Sequence, residues 1–405
     1  MNKFLYPKGG DAISTLNTAA LLSSNGHRVD LWGMAHPLNP KYAYSDYFVS
    51  YVDLNNPGNL KRQAKTALNM LYSFEARSRF EALIKKIKPD IIHLNNFAHQ
   101  ISPSILHVCK EYKLPVVMTM HDYKLVCPVY TLLNNGKVCE KCARGRYLSC
   151  FKNKCAKNSK LKSLISAIEM YLHHKILRIY DLVDVFISPS VFLKNKIEDM
   201  GFKGKTAYLS NFVQIDEFWP QYSARNNSII YFGRLSEEKG IGTLIDAVKD
   251  LDVCLKIVGE GPIKESLSSK VKSEKLNNVI FSGYKSGEEL KEEIRESRFS
   301  VVPSEWYENN PRSIIESFAL GKPVLGARIG GIPELVKDNE TGLTFEPGNA
   351  RDLKAKISYM INSPDKIGRM GVNARVFVEK ELNPGKHYQK LMEIYDQAIN
   401  HREKT

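Results

Sequence analysis

The chain has 405 residues, 43% of them apolar and 25% charged, and a formal net charge of +14. This length and composition fit a globular protein of two domains with full cores and exclude a disordered or fibrous chain. No run of about 18 apolar residues occurs, and MNKFLYPKGGD lacks the apolar core of a signal peptide, so the chain reads as intracellular and cytoplasmic.

The charge is unevenly placed. Residues 1–215 carry 30 Lys and Arg against 15 Asp and Glu, whereas the remainder carries 28 against 29. The excess in the first half suggests an anionic partner, such as a membrane surface, a lipid diphosphate or nucleic acid. Solubility through net charge is the plain alternative.

In chain order, Lys3–Tyr6 is a strand stub before Pro7, Lys8, Gly9 and Gly10. The two glycines let backbone approach a ligand closely, or simply make a turn. Ala12–Ser24 reads as a helix and His27–Trp32 as a strand. Asn59–Lys88 reads as largely helical, and Asp90–Leu94 and Val116–Met120 as strands, the latter running into His121 and Asp122. Residues 123–160 hold five of the seven cysteines. Cys139 and Cys142 form a C-x2-C knuckle, with Cys150 and Cys155 following. Four thiolates could hold a structural zinc; free or redox-active thiols and disulfides are the other readings. From Lys137 to Lys162 there are nine Lys or Arg and one acid, Glu140. A helix expected over Leu161–Tyr180 has Leu161, Leu164, Ile165, Ile168, Leu172, Ile176 and Ile179 on one side. Such a stripe is more often core, but the basic cluster beside it offers peripheral membrane attachment as a second reading. A strand is expected at Asp184–Ser188, and a domain boundary near Ile215.

The second half opens with the strand Ile229–Phe232 and the phrase GRLSEEKG, which puts Arg234 and Lys239 beyond a strand's carboxyl end. Arg can grip phosphate oxygens in a fork, and Lys adds a point charge. Val253–Val258 leads into Gly259, Glu260, Gly261 and Pro262, and Asn278–Phe281 is a further strand. Asp250 and Asp252 precede their strand, the wrong edge for a catalytic metal. Phe299–Val302 is a buried strand ending at Pro303. The loop beyond it carries Glu305 and Glu308, and Asn310 and Pro311 read as N-cap and first residue of a helix ending near Gly321. In open α/β sheets ligands bind at this strand end, and the free helix-start amides that follow Asn309, near Asn310 to Ser313, suit a phosphate. Glu308 and Glu316 flank them and could accept hydrogen bonds from the hydroxyls of a sugar and a ribose. Gly342–Phe345, a helix at Asp352–Ile361 and a last helix at Pro384–Ile399 complete the chain.

Glu308 and Glu316, with seven residues between them, together with ENNP, GKPV, GGIPE and GRLSEEKG, resemble the retaining glycosyltransferases of family 4, over nearly the whole chain. The resemblance implies an α/β GT-B fold: two Rossmann-like domains facing a cleft, 1–215 for the acceptor and 216–383 for a nucleotide sugar, with 384–405 crossing back. It implies sugar transfer from a nucleotide diphosphate sugar to a sugar or lipid-linked acceptor in cell-surface polysaccharide or glycolipid assembly. No metal or nucleic acid is implied for catalysis, and the enzyme would be cytoplasmic or peripheral on the membrane's inner face. By the same resemblance Arg234 and Lys239 bind the diphosphate, Glu308 the donor sugar and Glu316 the ribose. His121 meets the donor sugar, Gly9 and Gly10 lie near phosphates or acceptor, and Gly259 and Gly261 form the loop of VGEGP. A non-catalytic scaffold and another GT-B enzyme, such as a nucleotide-sugar epimerase, are the alternatives. Family members open with a full buried strand where this chain has a stub, so a misassigned or truncated start is expected.

Overall fold

The computed structural model describes residues 1–53, 58–224 and 226–403. The chain divides into two compact units. Met1–Asn135, Cys139–Leu209 and the segment from Tyr388 onward form one; Ser210–His387, with Gly136–Val138, form the other.

The first unit is built on a parallel sheet in the order Ile92–Leu94, Val116–Thr119, Val185–Ser188, Thr206–Tyr208. All residues of Val116–Thr119 and Val185–Ser188 are buried, as expected for parallel strands covered on both faces. Beyond Ile92–Leu94, Met1–Lys3 bonds on both sides. Asn95 N donates to Met1 O at 3.0 Å and Lys3 N to Asn96 O at 2.8 Å; Asn2 N donates to Trp32 O at 3.3 Å and Met34 N to Lys3 O at 3.3 Å. His27–Trp32, expected as a strand, does not form one; only the bridge Met34↔Val49 appears there. The physical reason is partnership: the neighbouring stub reaches only Trp32–Met34, so the residues before it have no ladder to join. The helix expected from Ala12 starts at Gly10 and ends at Ser24. The helical stretch 59–88 is two helices, Leu60–Leu71 and Phe74–Ile87, each N-capped by a side chain, Asn59 and Ser73.

The helix expected over Leu161–Tyr180 is shorter. It runs Lys160–Tyr171 and then passes into a π turn, Leu172–Ile176, closed by Leu177 N to Leu172 O at 2.8 Å. Its apolar stripe is only partly core: Ile179 is buried and Leu164, Ile165 and Leu172 are half-buried. Leu161, Ile168 and Ile176 are 68%, 45% and 72% exposed, and the buried side is Ser163, Ser166, Ala167, Glu169, Met170 and His173. Small residues and one buried ion pair, Glu169 with Lys124 at 2.8 Å, let this face approach its neighbours closely. The last helix, Pro384–Glu403, puts Leu391, Ile394, Tyr395 and Ala398 against Val117, Val185 and Ile187 of the first unit's sheet. Each fully buried Leu or Ile there contributes roughly 1.5–3 kcal/mol.

The second unit has six parallel strands in the order Gly342–Phe345, Val324–Ala327, Ser300–Val302, Ser228–Phe232, Cys254–Val258, Val279–Gly283. Counted from Ser228 this is 6-5-4-1-2-3, the doubly wound dinucleotide-fold order. Its core is continuous, with Ile229, Ile230, Leu255, Val301, Leu325 and Phe345 all essentially inaccessible. The helix Ala350–Ile361 is followed by Pro364–Glu381, which the sequence reading did not separate out.

Candidate active site

In the second unit Ser228–Phe232 and Ser300–Val302 are neighbours in the sheet although two other strands and their helices separate them in sequence. The strand order reverses between them, which opens a crevice outside their carboxyl ends. The loops that leave these two strands are GRLSEEKG and PSEWYENNP, so the fold sets the two charged motifs side by side.

Lys239 Nζ lies 2.5 Å from Glu308 Oε1, and Ser304 Oγ donates to the same oxygen at 2.6 Å. The Lys239 ammonium also sits 5.0 Å from the centre of the Trp306 ring. Glu308 is 6% exposed. Burial alone would raise its pKa. The charge of Lys239 and the hydrogen bonds from Lys239 and Ser304 outweigh burial, and the carboxyl is held below its ordinary range. Arg234, on the same loop, is exposed and makes no salt bridge among the described residues.

Glycines fix the spacing of these loops. Gly240 has φ +66°, and a Cβ there would sit 2.0 Å from Pro303 O. Gly330 has φ +62°, and a Cβ there would sit 2.3 Å from Glu308 O, while Gly331 N donates to that oxygen at 2.7 Å. The GG of GGIPE therefore clamps the backbone that presents Glu308. A Cβ on Gly259 would sit 1.9 Å from Gly233 O, and one on Gly261 2.2 Å from Leu235 O. These two glycines are explained by loop packing against GRLSEEKG.

The helix beyond Glu308 is Arg312–Ala319, with Pro311 at the N-cap position. Asn310 was expected as the cap and is not. Its Oδ1 accepts instead from Asn211 N at 3.1 Å and Ser210 Oγ at 3.3 Å, and its carbonyl accepts from Asn211 Nδ2 at 3.1 Å. Proline has no side-chain acceptor, so the first amides of this helix have no side-chain cap and remain donors for an anion. Glu316, on the same helix, accepts from Arg312 at 3.2 Å. Burial outweighs Arg312 here and raises its carboxyl above the ordinary range. Asp250 pairs with the exposed Lys354 at 2.7 Å, away from this edge.

Of the expected residues, Arg234, Lys239, Gly259, Gly261, Glu308, Asn309, Asn310 and Glu316 thus fall at one edge of the second sheet. Gly9, Gly10 and His121 fall at the carboxyl edge of the first unit's sheet. His121 Nε2 lies 2.8 Å from Asn95 Oδ1, and burial lowers its pKa so that it is neutral near pH 7. Ser304, Trp306, Gly240 and Gly330 were not singled out from sequence. All four sit inside or beside the quoted motifs, but the direction of each side chain or carbonyl was not legible there.

The proposed zinc set, Cys139, Cys142, Cys150 and Cys155, does not converge. Among the described residues no group of three or more His, Cys, Asp or Glu is arranged to hold a metal. Cys142 and Cys150 are buried with Tyr147, Ala167 and Met170, and burial pushes the Cys142 thiol up to about 12. The Cys150 thiol hydrogen-bonds Cys155, which also accepts from Asn134 Nδ2 at 3.2 Å; these two bonds overcome burial and lower Cys155 to about 6. The second pair is thus turned toward itself by the short helix Leu148–Lys152 and the turn after it.

The family model for Glycosyltransferase Family 4 matches residues 8–217, and that for Glycosyl transferases group 1 matches 216–377. The chain belongs to glycosyltransferase family 4. Among relatives of this family 4 chain, an uncharacterised glycosyltransferase of Methanocaldococcus jannaschii is 31% identical over 49% of the chain and 55% of that protein. An uncharacterised 42.6 kDa protein of the Klebsiella pneumoniae cps region is 28% identical over 83% of the chain and 86% of its own length. The amylovoran biosynthesis glycosyltransferase AmsK of Erwinia amylovora is 29% identical over 42% of the chain and 44% of that protein. With the archaeal and Erwinia proteins, the chain therefore spans about half of the relative's length. Sucrose-phosphate synthase of Thermosynechococcus elongatus superposes with a TM-score of 0.72 at 20% identity, covering 97% of this chain and 94% of that one. Anabaena HepE, solved in complex with UDP, superposes with a TM-score of 0.59 at 19% identity over 79% of this chain and 82% of that one. The two parallel sheets and these neighbours make the fold GT-B.

Proposed function

We propose that the chain transfers a sugar, with retention, from a nucleotide diphosphate sugar to an acceptor hydroxyl in cell-surface polysaccharide assembly. The observation that carries this reading is the pairing of Lys239 with Glu308 at the strand-order reversal, beside Arg234 and an uncapped helix start. The leaving group is a nucleoside diphosphate, and the main electrostatic task is to stabilise its growing negative charge. Arg234, Lys239 and the amides at Arg312 and Ser313 supply fixed positive charge and donors for that task. Lys239 then changes partner on donor binding, from the Glu308 carboxylate toward a phosphate, which leaves Glu308 to accept from the sugar hydroxyls. Glu316 accepts from the ribose, held by Arg312. In the first unit His121, Gly9 and Gly10 are proposed to contact substrate. The relatives' cps, amylovoran and colanic acid names favour polysaccharide assembly, and the UDP and UDP-glucose complexes of HepE favour a nucleotide sugar donor.

The test is release of nucleoside diphosphate from a panel of UDP, GDP and ADP sugars, with calorimetry of the free nucleotides. Binding of one nucleotide, and its release from a matching donor, is expected. A folded protein that binds none of the nucleotides sinks the reading.

A lipid-linked acceptor would put the protein at an anionic membrane face. Among the described residues no helix is long and apolar enough to cross a membrane. The exposed Leu161, Ile168 and Ile176 beside the basic run Lys137–Lys162 support peripheral docking instead. Each Lys or Arg near such a surface gains about 1 kcal/mol. Sedimentation with phosphatidylglycerol vesicles, lost on adding salt and in a Leu161→Ser, Ile168→Ser, Ile176→Ser variant, is the expected outcome. Equal sedimentation of that variant would remove the helix from the account.

A further inference from the structure

Three backbone segments of the first unit end side by side. Met1–Lys3, Trp32–Met34 and Val49 are joined by Met34 N to Lys3 O at 3.3 Å, Val49 N to Gly33 O at 3.1 Å and Ala35 N to Val49 O at 2.8 Å. Just past these bonds, each segment delivers a ring. Phe4 and Tyr6 follow Lys3, His36 follows Met34, and Tyr51 follows Val49. The rings meet. Tyr6 stacks on His36 with centroids 4.6 Å apart and planes 26° apart, and Phe4 and Tyr51 meet the same imidazole edge-on at 5.8 and 5.0 Å. Tyr51 is 48% exposed, and Leu38 beside this loop 64%.

The platform is held from behind. Tyr42 Oη donates to Leu5 O at 2.7 Å, Leu5 N donates to Asn39 Oδ1 at 3.3 Å, and Asn39 Nδ2 donates to Met34 O at 2.9 Å. The loop 36–42 therefore fixes Leu5 and Met34, the residues next to the rings, before anything binds. Leu38 N donates to His36 Nδ1 at 3.1 Å, so Nδ1 is the acceptor and the ring proton of the neutral form sits on Nε2. Burial and Lys8 lower the His36 pKa, which favours that neutral form. The Lys8 ammonium lies 3.6 Å from the centre of the Phe4 ring. The cluster thus brings together crossed and stacked aromatic rings, phenol hydroxyls, an imidazole N–H and an ammonium. It sits at the carboxyl edge of a parallel sheet, directly before Gly9 and the helix Gly10–Ser24.

We propose that Tyr6, His36 and Tyr51 form a carbohydrate-stacking platform that receives a pyranose ring of the acceptor. A pyranose has one face of axial C–H bonds, which packs on the electron-rich face of an aromatic ring, and an equatorial belt of hydroxyls, which needs donors and acceptors at the rim. An aliphatic chain would use the rings and leave the polar groups unpaired, and a phosphate would use the polar groups and leave the rings exposed. A sugar ring uses both. This inference rests on the glycosyl transfer reading.

The experiment uses the full chain and the methyl glycosides of glucose, galactose, mannose and N-acetylglucosamine as probes, read by saturation-transfer NMR, with UDP, GDP and ADP binding by calorimetry in parallel. At least one glycoside is expected to receive saturation, strongest on the ring protons of one face. Tyr51→Ala and His36→Ala are expected to weaken its affinity at least about fivefold, the effect of losing one stacked ring. Tyr51→Trp should retain the binding, and nucleotide binding should be the same in all variants. No saturation of any glycoside by the wild type, or undiminished saturation in both Ala variants, overturns the platform. Glycoside binding without binding of any nucleotide keeps the platform and counts against the transfer reading alone.

Discussion

Replacing Lys239 with Ala removes the charge that keeps a buried carboxylate ionised. In the wild type Glu308 is held below its ordinary range, so the stability this gives is present above the ordinary carboxylate pKa, about 4.3, and is lost as pH falls through the lower folded value. Without Lys239, burial is the largest influence left on Glu308, and its pKa should rise above the ordinary value. At neutral pH the variant then carries an unpaired buried charge, and proton uptake on acidification relieves it. Removing one partner of a buried pair costs about 3–5 kcal/mol. The Lys239 side chain is 23% exposed and that of Glu308 9%, so water recovers part of the loss, and about 2–3 kcal/mol is expected at neutral pH. For a unit of this size that is a fall in Tm of roughly 4–10 °C. Urea unfolding at about pH 7.5 and about pH 5 is the assay. The stability gap should be widest at the higher pH and narrow on acidification, and adding Glu308→Gln should recover part of it. A gap under about 0.5 kcal/mol at neutral pH, or one that widens as pH falls, refutes the reasoning. Turnover should drop roughly a hundredfold or more, because the same ammonium is the diphosphate's partner.

Arg234→Ala should cost turnover a similar factor of about a hundred with little change in unfolding, since Arg234 is exposed; equal turnover in wild type and variant would remove it from the cradle. Glu316→Ala should weaken binding of free nucleoside diphosphate, and Glu308→Gln should spare the nucleotide while impairing the whole donor. Calorimetry with both ligands separates the two, and equal losses in both variants would reject that division. Gly240→Ala places a Cβ 2.0 Å from Pro303 O at φ +66°, so a loss of about 2–4 kcal/mol by denaturant titration is expected; a loss below about 1 kcal/mol would show that the loops can move apart. Cys155, lowered to about 6, should be the first thiol alkylated by iodoacetamide at neutral pH, well ahead of Cys142, which is pushed up to about 12. Cys150→Ser should alter that rate, and peptide mass spectrometry would expose the opposite order.

The fold class and the two charged motifs were legible because their signals are local. A buried parallel strand is a short apolar run such as Phe299–Val302, and a turn such as GRLSEEKG must expose its charges wherever it sits. The glycines also announced themselves, although their purpose did not. Gly259 and Gly261 read as part of the VGEGP loop, and the structure adds that one loop approaches another there, within 1.9–2.2 Å of a would-be Cβ. Asn310 had the chemistry of an N-cap, but a cap is a competition. Asn211 and Ser210, a hundred residues away in sequence, won its side chain.

The sequence alone determined the apolar runs, the turn residues and the placement of charge, because these depend on each residue and its near neighbours. Only the tertiary structure decided which charges meet. Lys239 and Glu308 are 69 residues apart, and they pair at 2.5 Å because the strand order reverses between their strands. It also decided that Leu161, Ile168 and Ile176 of the stripe face outward. Periodicity records that a helix has an apolar side, but whether that side is covered depends on what the rest of the chain brings to it, and here Glu169, His173 and the small residues took the inner face. The ring cluster of Tyr6, His36 and Tyr51 is of the same kind: three unremarkable aromatic positions become a surface only when three parallel segments end in register.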